Sequence, residues 1–527
     1  MFRPYCIQRD EGFAKANASA RAFTPIDLKT IYNFPQPVAG ERLKVAVISF
    51  GGGLFGNVDS SGVLTGGDLV PYWQSLGLTS YPIVKIQLIG NARNAPDNTG
   101  STAENSLDVE MVGAINPNTE IILLIAPNTD TGFTQIFQAA RAIPGIFAIS
   151  CSWGLPESAM PTSFANSLNA IFQACANAGI NIFCAAGDNG AKDGTSVATM
   201  DFPGSSPFVT CCGGTRLLVE SNNVYDSKTQ ETVWNNNANS ATGGGKSNIF
   251  AKPAYQQTIT LSNMRMGPDI ALVADPNTGV IFRVNNSRVV YGGTSVSAPC
   301  AAGLCCLLRC NTFINPLLYA SPNTCFHDIT QGNNGGTWQA TAGFDMCSGL
   351  GSINGTLLKN AIYANVLQVA PTTLTFTNAT PQQLTLRTIG SQQRPRTVTW
   401  TSSNTKIATV DTNGLVTPVS NGTCTISCSA SPTVVSVTVS GVAVLGTAIS
   451  IIPTLHVGES LTLALASRTP ANTTARTLVW ASSQSRIATV DANTGVVRGV
   501  NVGTVTLIAT LQDANHARAS FVLQIIA

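Results

Sequence analysis

Histidine is scarce in this chain: of 527 residues only three are His, namely His327, His456 and His516. Acid–base chemistry built on imidazole therefore has few sources. Charge is scarce too, at 11% of residues and a formal net of +2. That gives no reason to expect nucleic acid or an anionic membrane as a partner. Disorder is excluded by the 44% of hydrophobic residues. No apolar run is long enough to span a bilayer; "IILLIAP" (121–127) and "PCAAGLCCLL" (299–308) are core-sized. The opening "MFRPYCIQRDEGFAKANASARAF" lacks an apolar h-region, so no signal peptide is expected. Among 14 cysteines there is no paired Cys-x-x-Cys unit, which argues against zinc. Twelve cysteines precede residue 348 at irregular spacings, unlike a small disulfide scaffold. Buried free thiols made in a reducing compartment are expected; one or two bridges formed after release are the other reading. Cys424 and Cys428 share a strand face but stand too far apart to bond each other.

What is present falls into two textures. From about Phe23 to Ala364, apolar runs alternate with helical patterns. Strands are expected at 43–50, 82–89, 120–127, 146–154 and 180–188, with helices at 102–115, 132–143 and 163–179. Continuous apolar strands alternating with helices indicate an α/β domain with a central parallel sheet covered on both faces. From about Val366, Thr, Ser and Val rise and period-two alternation takes over. There "TVTWTSSNTKIATVDTNGLVTPVSNGTCTI" (397–426) recurs as "TLVWASSQSRIATVDANTGVVRGVNVGTVTL" (477–507). Asn413-Gly414 marks a tight turn between strands. Two all-β sandwiches follow from this, each expected to bury a Trp, Trp400 and Trp480. The expected division is an N-terminal extension (1–22), the α/β domain (23–364) and two sandwiches (366–442 and 443–527).

The stretch "YGGTSVSAPCAAGL" (291–304) runs a glycine turn into a small-residue helix and offers Ser295. A serine needs a base to act as a nucleophile. His456 and His516 lie in the repeats, and His327 sits in "FHDIT" without a supporting motif. The G-x-S-x-G elbow of α/β-hydrolases is absent around Ser295. Carboxylates remain. Glu104 and Asp108 in "STAENSLDVEMVG" are four apart on an expected helix and share one face. Paired acids raise one pKa, which suits a general base in mildly acidic solution; a solvated helix face is the plainer reading. Asp188, in "NIFCAAGDNG", ends an apolar strand where a crevice residue would stand. It would hold an oxyanion if protonated, or else simply stabilise a turn. Ser295 itself has a plainer reading as a helix N-cap.

The ordered set "FTPIDLKTIYNFP" (23–35), "VAVISFGGG" (45–53), "ENSLD" (104–108), "SCSWG" (150–154), "AAGDNG" (185–190), "DFPGSSPFVTCCGGT" (201–215), "ETVWN" (231–235), "TGGGKSNIFAKPAYQ" (242–256), "RMGPDIALVADPNTG" (265–279) and "GGTSVSAP" (292–299) resembles the sedolisins, serine-carboxyl peptidases of subtilisin-like fold. The resemblance covers about Phe23 to Ala364. It implies Ser295 as nucleophile, Glu104 as base and then acid, Asp108 behind Glu104, and protonated Asp188 with the Ser295 N–H at the oxyanion. It also implies one structural Ca²⁺ in "FHDITQGNNGGTWQATAGFDMCSGLG" (326–351), held by the side chains of Asp328 and Asp345 and the carbonyls of Ile329, Thr341 and Gly343. A polypeptide substrate would lie extended along Ser152-Trp153-Gly154. The repeats resemble group 2 bacterial Ig-like domains, which would tether or space the enzyme or contact a surface, a particle or a glycan.

The resemblance departs at the N-terminus. Sedolisins normally carry a long prodomain, whereas about 23 residues precede the matching segment here. The family implies an extracellular location, but the missing signal peptide and the many cysteines argue against ordinary secretion, so assembly inside a cell and release in a particle, such as a virion, is the other expectation. The competing reading is a structural or adhesive protein that uses a peptidase scaffold with little or no activity.

Overall fold

The computed structural model describes residues 1–9, 21–38, 40, 42–97, 100–220, 222–377, 380–388, 398–419, 421–429, 431–440, 444–446, 453–463, 467–469, 478–511 and 518–527. His516 lies outside them. The chain divides between Asn365 and Val366 into two compact units.

In the first unit the apolar runs form strands β1 (Leu43–Ser49), β2 (Ile83–Leu88), β3 (Thr119–Ile125), β4 (Ile146–Cys151), β5 (Asn181–Ala185) and β6 (Thr210–Leu218). They lie in the order β6-β5-β4-β1-β3-β2, all parallel. Strand β7 (Gln230–Val233) extends the sheet antiparallel to β6, and β8 (Ile270–Val273) pairs parallel with the middle of β6. Four helices matter for the site: α1 (Gly100–Ile115), α2 (Asp130–Ala142), α3 (Thr162–Asn177) and α4 (Thr294–Leu308). Alternate strand residues Ala46, Ile48, Ile122, Leu124, Ile149, Cys151, Ile182 and Cys184 form one core with α2 and α3. The intervening Val45, Val47, Ile121 and Leu123 are equally buried and face the other way, where α1 and α4 pack together. This two-sided burial is why the strands read as unbroken apolar runs.

One expected strand is two. β4 ends at Cys151, and Trp153–Pro156 belongs to a separate three-stranded sheet, between Arg3–Pro4 and Asp201–Phe202. The break falls at Ser152, whose carbonyl and hydroxyl both turn into the crevice, as described below.

The second unit repeats one plan twice. In the first repeat Thr373–Phe376, Ser431–Val439, Gly422–Cys428 and Trp400–Ser402 form a four-stranded sheet, and Gln382–Gln383, Leu415–Pro418 and Ala408–Val410 a three-stranded one. The second repeat has the same orders: Thr454–His456, Arg518–Ile526, Gly503–Leu511 and Leu478–Ser482, then Ser460–Thr462, Val496–Gly499 and Ala488–Val490. Burial alternates strictly along Gly422–Cys428, with Cys424 and Cys428 both inside. The Trp expectation holds for one repeat only. Trp480 is buried over Ala509 and Ala519, whereas Trp400, opposite Cys428, is half-buried. All 14 cysteines are free thiols. Among the described residues no helix is long and apolar enough to cross a membrane.

Candidate active site

Helix α1 is buried around its whole circumference from Thr102 onward, so its carboxylates do not lie on a solvated face. Glu104 and Asp108 are 0% and 1% exposed. Burial pushes the Glu104 carboxyl well up; the nearby Ser295, Cys6 and Ser152 side chains pull it back, and the Asp188 charge raises it. These three groups approach Glu104 without aligning: neither of its oxygens has a hydrogen bond of ordinary geometry. Asp108 is pushed well up by burial and then by the charge of Glu104. Its Oδ1 accepts from the Ser152 hydroxyl at 2.7 Å, while Oδ2 has no partner. Ser152 follows β4 directly, so the strand's carboxyl end holds the second acid in place.

Asp188 stands just beyond the end of β5. Its Oδ1 accepts both from the Thr294 peptide N–H and from the Thr294 hydroxyl, each at 2.8 Å. The same hydroxyl accepts from the Gly187 N–H at 3.1 Å. Asp188 is thus tied to α4 across 106 positions of sequence, not to its own turn. Burial is the main cause that pushes its carboxyl up to about 7, against the pull of the two Thr294 bonds. Oδ2 is buried and unpartnered.

Ser295 is the second residue of α4, whose N-cap is Gly293 with no side-chain cap bond, so Ser295 does not cap the helix. Its hydroxyl is buried and unpartnered. Its peptide N–H donates to the Tyr5 carbonyl at 3.1 Å. A Cβ placed on Gly293 would meet that carbonyl oxygen at 2.2 Å and Asp188 Oδ2 at 2.5 Å. The Tyr5 carbonyl oxygen, bonded to the serine N–H, and the unpartnered Oδ2 of Asp188 therefore both lie against Gly293. Neither described histidine serves this site. His327 stacks on Tyr225, and His456 contacts the Ala527 carbonyl.

The structure thus brings Glu104, Asp108, Asp188 and Ser295 together. Reading the sequence missed two holders, Ser152 and Thr294, and the occupation of the crevice by residues 2–9. Both holders sit inside quoted motifs, but their partners are 44 and 106 residues away.

Asp328 and Asp345 form a separate group. Asp328 Oδ2 accepts from the Gly343 N–H at 2.9 Å, and Asp345 Oδ2 accepts from the Thr341 N–H at 3.1 Å. Asp345 Oδ1 accepts from the N–H groups of Cys347 and Ser348. Two carboxylates held against one exposed turn make a hard, oxygen-rich donor set that fits Ca²⁺ in kind. Their partners here are peptide N–H groups and, for Asp345, the Ser348 hydroxyl at 3.2 Å from either oxygen, which an ion would displace. Ile329 is buried beside Val233 and Cys347.

A buried serine beside paired acids, at the carboxyl edge of a parallel α/β sheet, fits a serine-type peptidase. Comparison with known proteins agrees. Kumamolisin of Bacillus sp. (strain MN-32) is 35% identical over 394 residues, spanning 69% of this chain and 68% of its own length. Sedolisin of Pseudomonas sp. (strain 101) is 27% identical over 391 residues, spanning 68% of this chain and 64% of its own length. The solved structure of Pseudomonas sedolisin (serine-carboxyl proteinase) complexed with two molecules of pseudo-iodotyrostatin matches with a TM-score of 0.57 at 26% identity, over 66% of this chain and 99% of that one. The family of bacterial Ig-like domains (group 2) matches residues 365–440 and 446–521. The chain belongs to the sedolisin family of serine-carboxyl peptidases, with two group 2 bacterial Ig-like domains at its C-terminal end.

Proposed function

We propose that the chain is an endopeptidase working in acidic solution through a Ser295–Glu104–Asp108 triad. Ser295 Oγ attacks the scissile carbonyl while Glu104 takes its proton; Glu104 then returns that proton to the leaving amine. Asp108, fixed by Ser152 and with its Oδ2 unpartnered, would close a hydrogen bond to Glu104 during turnover and tune its affinity for the proton. Protonated Asp188 and the Ser295 N–H stabilise the oxyanion. The observation that carries this reading is a carbonyl oxygen bonded to the Ser295 N–H beside Gly293, against which Asp188 Oδ2 also lies. Asp188 donates only while protonated and Glu104 accepts only while ionised, so turnover runs through the fraction of the protein that holds both states, and Asp188 sets its alkaline limit.

Asp328 and Asp345, with the carbonyls of Ile329, Thr341 and Gly343, would hold one Ca²⁺. The ion would neutralise two carboxylates and tie the 326–351 loop to itself, away from the acid–base set. The Ig-like domains would tether or space the enzyme on an extracellular surface or particle.

The test is digestion of a denatured protein across about pH 3 to 7, with Ser295→Ala beside the parent chain. Cleavage confined to acid and lost in the variant supports the proposal. Equal behaviour of the two proteins would favour the inert scaffold.

A further inference from the structure

Helix α1 carries a third buried carboxyl that the triad leaves unused. Glu110 lies two residues past Asp108, about 200° round the helix, and so faces the opposite side from that acid. It is fully buried. Its Oε2 accepts from the Arg283 peptide N–H at 2.8 Å, and its Oε1 has no partner. Arg283 belongs to strand β9 (Val280–Val284), which pairs antiparallel with β10 (Ser287–Gly292). Asn285 and Asn286, both at positive φ, make the tight turn between them. Strand β10 runs straight into Gly293, Thr294 and Ser295.

Strand β9 is the outer strand of its small sheet, so alternate N–H groups face away from β10. Such a group, once buried, needs an acceptor. The Ile281 N–H finds the Phe23 carbonyl at 2.8 Å, and the Arg283 N–H finds Glu110. The hairpin is fastened beside this bond as well. The Tyr72 hydroxyl donates to the Ile281 carbonyl at 2.6 Å. Asp68 Oδ1 accepts from Arg283 Nε at 3.0 Å and from the Asn286 N–H at 2.8 Å. The Glu110 carbonyl in turn accepts from the Trp73 indole N–H at 3.2 Å. Burial is the main cause that pushes the Glu110 carboxyl well up; the Asp68 charge adds to it, while the Arg283 N–H and guanidinium pull it down. Tyr72 stands close by, with Arg288 beyond it. A neutral carboxyl in this place still accepts from a peptide N–H, so the oxygen matters here and the charge does not.

We propose that Glu110 is a positioning residue of the reaction: it fastens the hairpin that delivers Ser295 to the helix that carries Glu104 and Asp108. The inference rests on Ser295 and Glu104 being nucleophile and base. Glu110 touches neither. Helices α1 and α4 also pack together directly, but Ser295 is only the second residue of α4, and the backbone that enters it comes from β10. Without the anchor the serine hydroxyl and its base lose their fixed distance.

Glu110→Gln, Glu110→Asp and Glu110→Met are compared with the parent chain for kcat and KM on a quenched peptide at about pH 4, and for amide hydrogen exchange over residues 280–292. Glu110→Gln keeps an acceptor oxygen at the same reach, so its kcat stays within about threefold of the parent and the hairpin stays protected. Glu110→Met keeps the volume and removes the oxygen. Its kcat falls about tenfold or more, its KM stays within about threefold because the wall at residues 152–154 is untouched, and exchange in the hairpin rises. Glu110→Asp, one methylene short, falls between the two. Parent-like kcat in folded Glu110→Met overturns the inference; if that variant does not fold, parent-like kcat in Glu110→Asp does so. A loss in Glu110→Gln as large as in Glu110→Met overturns it too, as does a rise in KM with kcat unchanged. In all these outcomes the parent still cuts the peptide and the peptidase reading stands. A parent chain as inactive as Ser295→Ala overturns that reading, and this inference with it.

Discussion

Asp188 divides its work between two oxygens. Oδ1 is saturated by Thr294, which leaves Oδ2 as the site for the proton and for donation. An ionised carboxylate cannot donate, so the working form exists below its pKa, which burial has pushed up to about 7. Turnover of a quenched peptide should therefore fall as pH rises through about 7. Asp188→Asn carries an N–H at every pH and should lack that fall, whereas Asp188→Ala should cost about 10²–10³ in kcat at every pH. A parent-like alkaline limb in Asp188→Asn would assign the titration to another group. The acids of this site were legible in the sequence, because helical spacing places Glu104 and Asp108 on one face and "AAGDNG" ends an apolar strand. Ser152 and Thr294 were not, because serine and threonine hydroxyls are common and only the folded chain shows what they hold.

Helix α4 matters through the way it begins. Gly293 has φ +110°, and a Cβ there would stand 2.2 Å from the Tyr5 carbonyl and 2.5 Å from Asp188 Oδ2. Glycine is needed there both for its backbone conformation and for the space it leaves. Gly293→Ala should lower kcat by roughly 100-fold or more, since its Cβ displaces Asp188 and the carbonyl bonded to the Ser295 N–H, while circular dichroism stays parent-like. Near-parent turnover in that variant would mean the carbonyl sits elsewhere during catalysis. The helices and parallel strands were readable from apolar periodicity. The break at Ser152 was not, since "IFAISCSWG" is apolar on both sides of the residue that turns out of the sheet.

At the scale of the molecule, the first unit buries many carboxyls. Besides Glu104, Asp108 and Asp188, burial raises Glu110, Glu157, Asp201 and Glu231. An unfolded carboxylate titrates near pH 4, so the native state keeps these protons to higher pH. The stability they contribute is complete below the unfolded pKa and is lost as pH rises through the folded values. Calorimetry should therefore show the unfolding temperature of the peptidase unit highest in acid and falling toward neutral pH. A rise over that range would mean these groups are ionised in the native state. The division into an α/β unit and a duplicated β unit was legible because the two textures differ in hydrophobic period. The course of residues 2–9 was not, because a strand fitted to a crevice carries no period of its own. The central claim is that carboxylates, not imidazole, activate Ser295. Its most direct test is the initial rate of peptide hydrolysis by Glu104→Gln beside the parent chain at about pH 4. A loss of about 10³-fold or more in a folded variant is predicted. A rate within tenfold of the parent would contradict it.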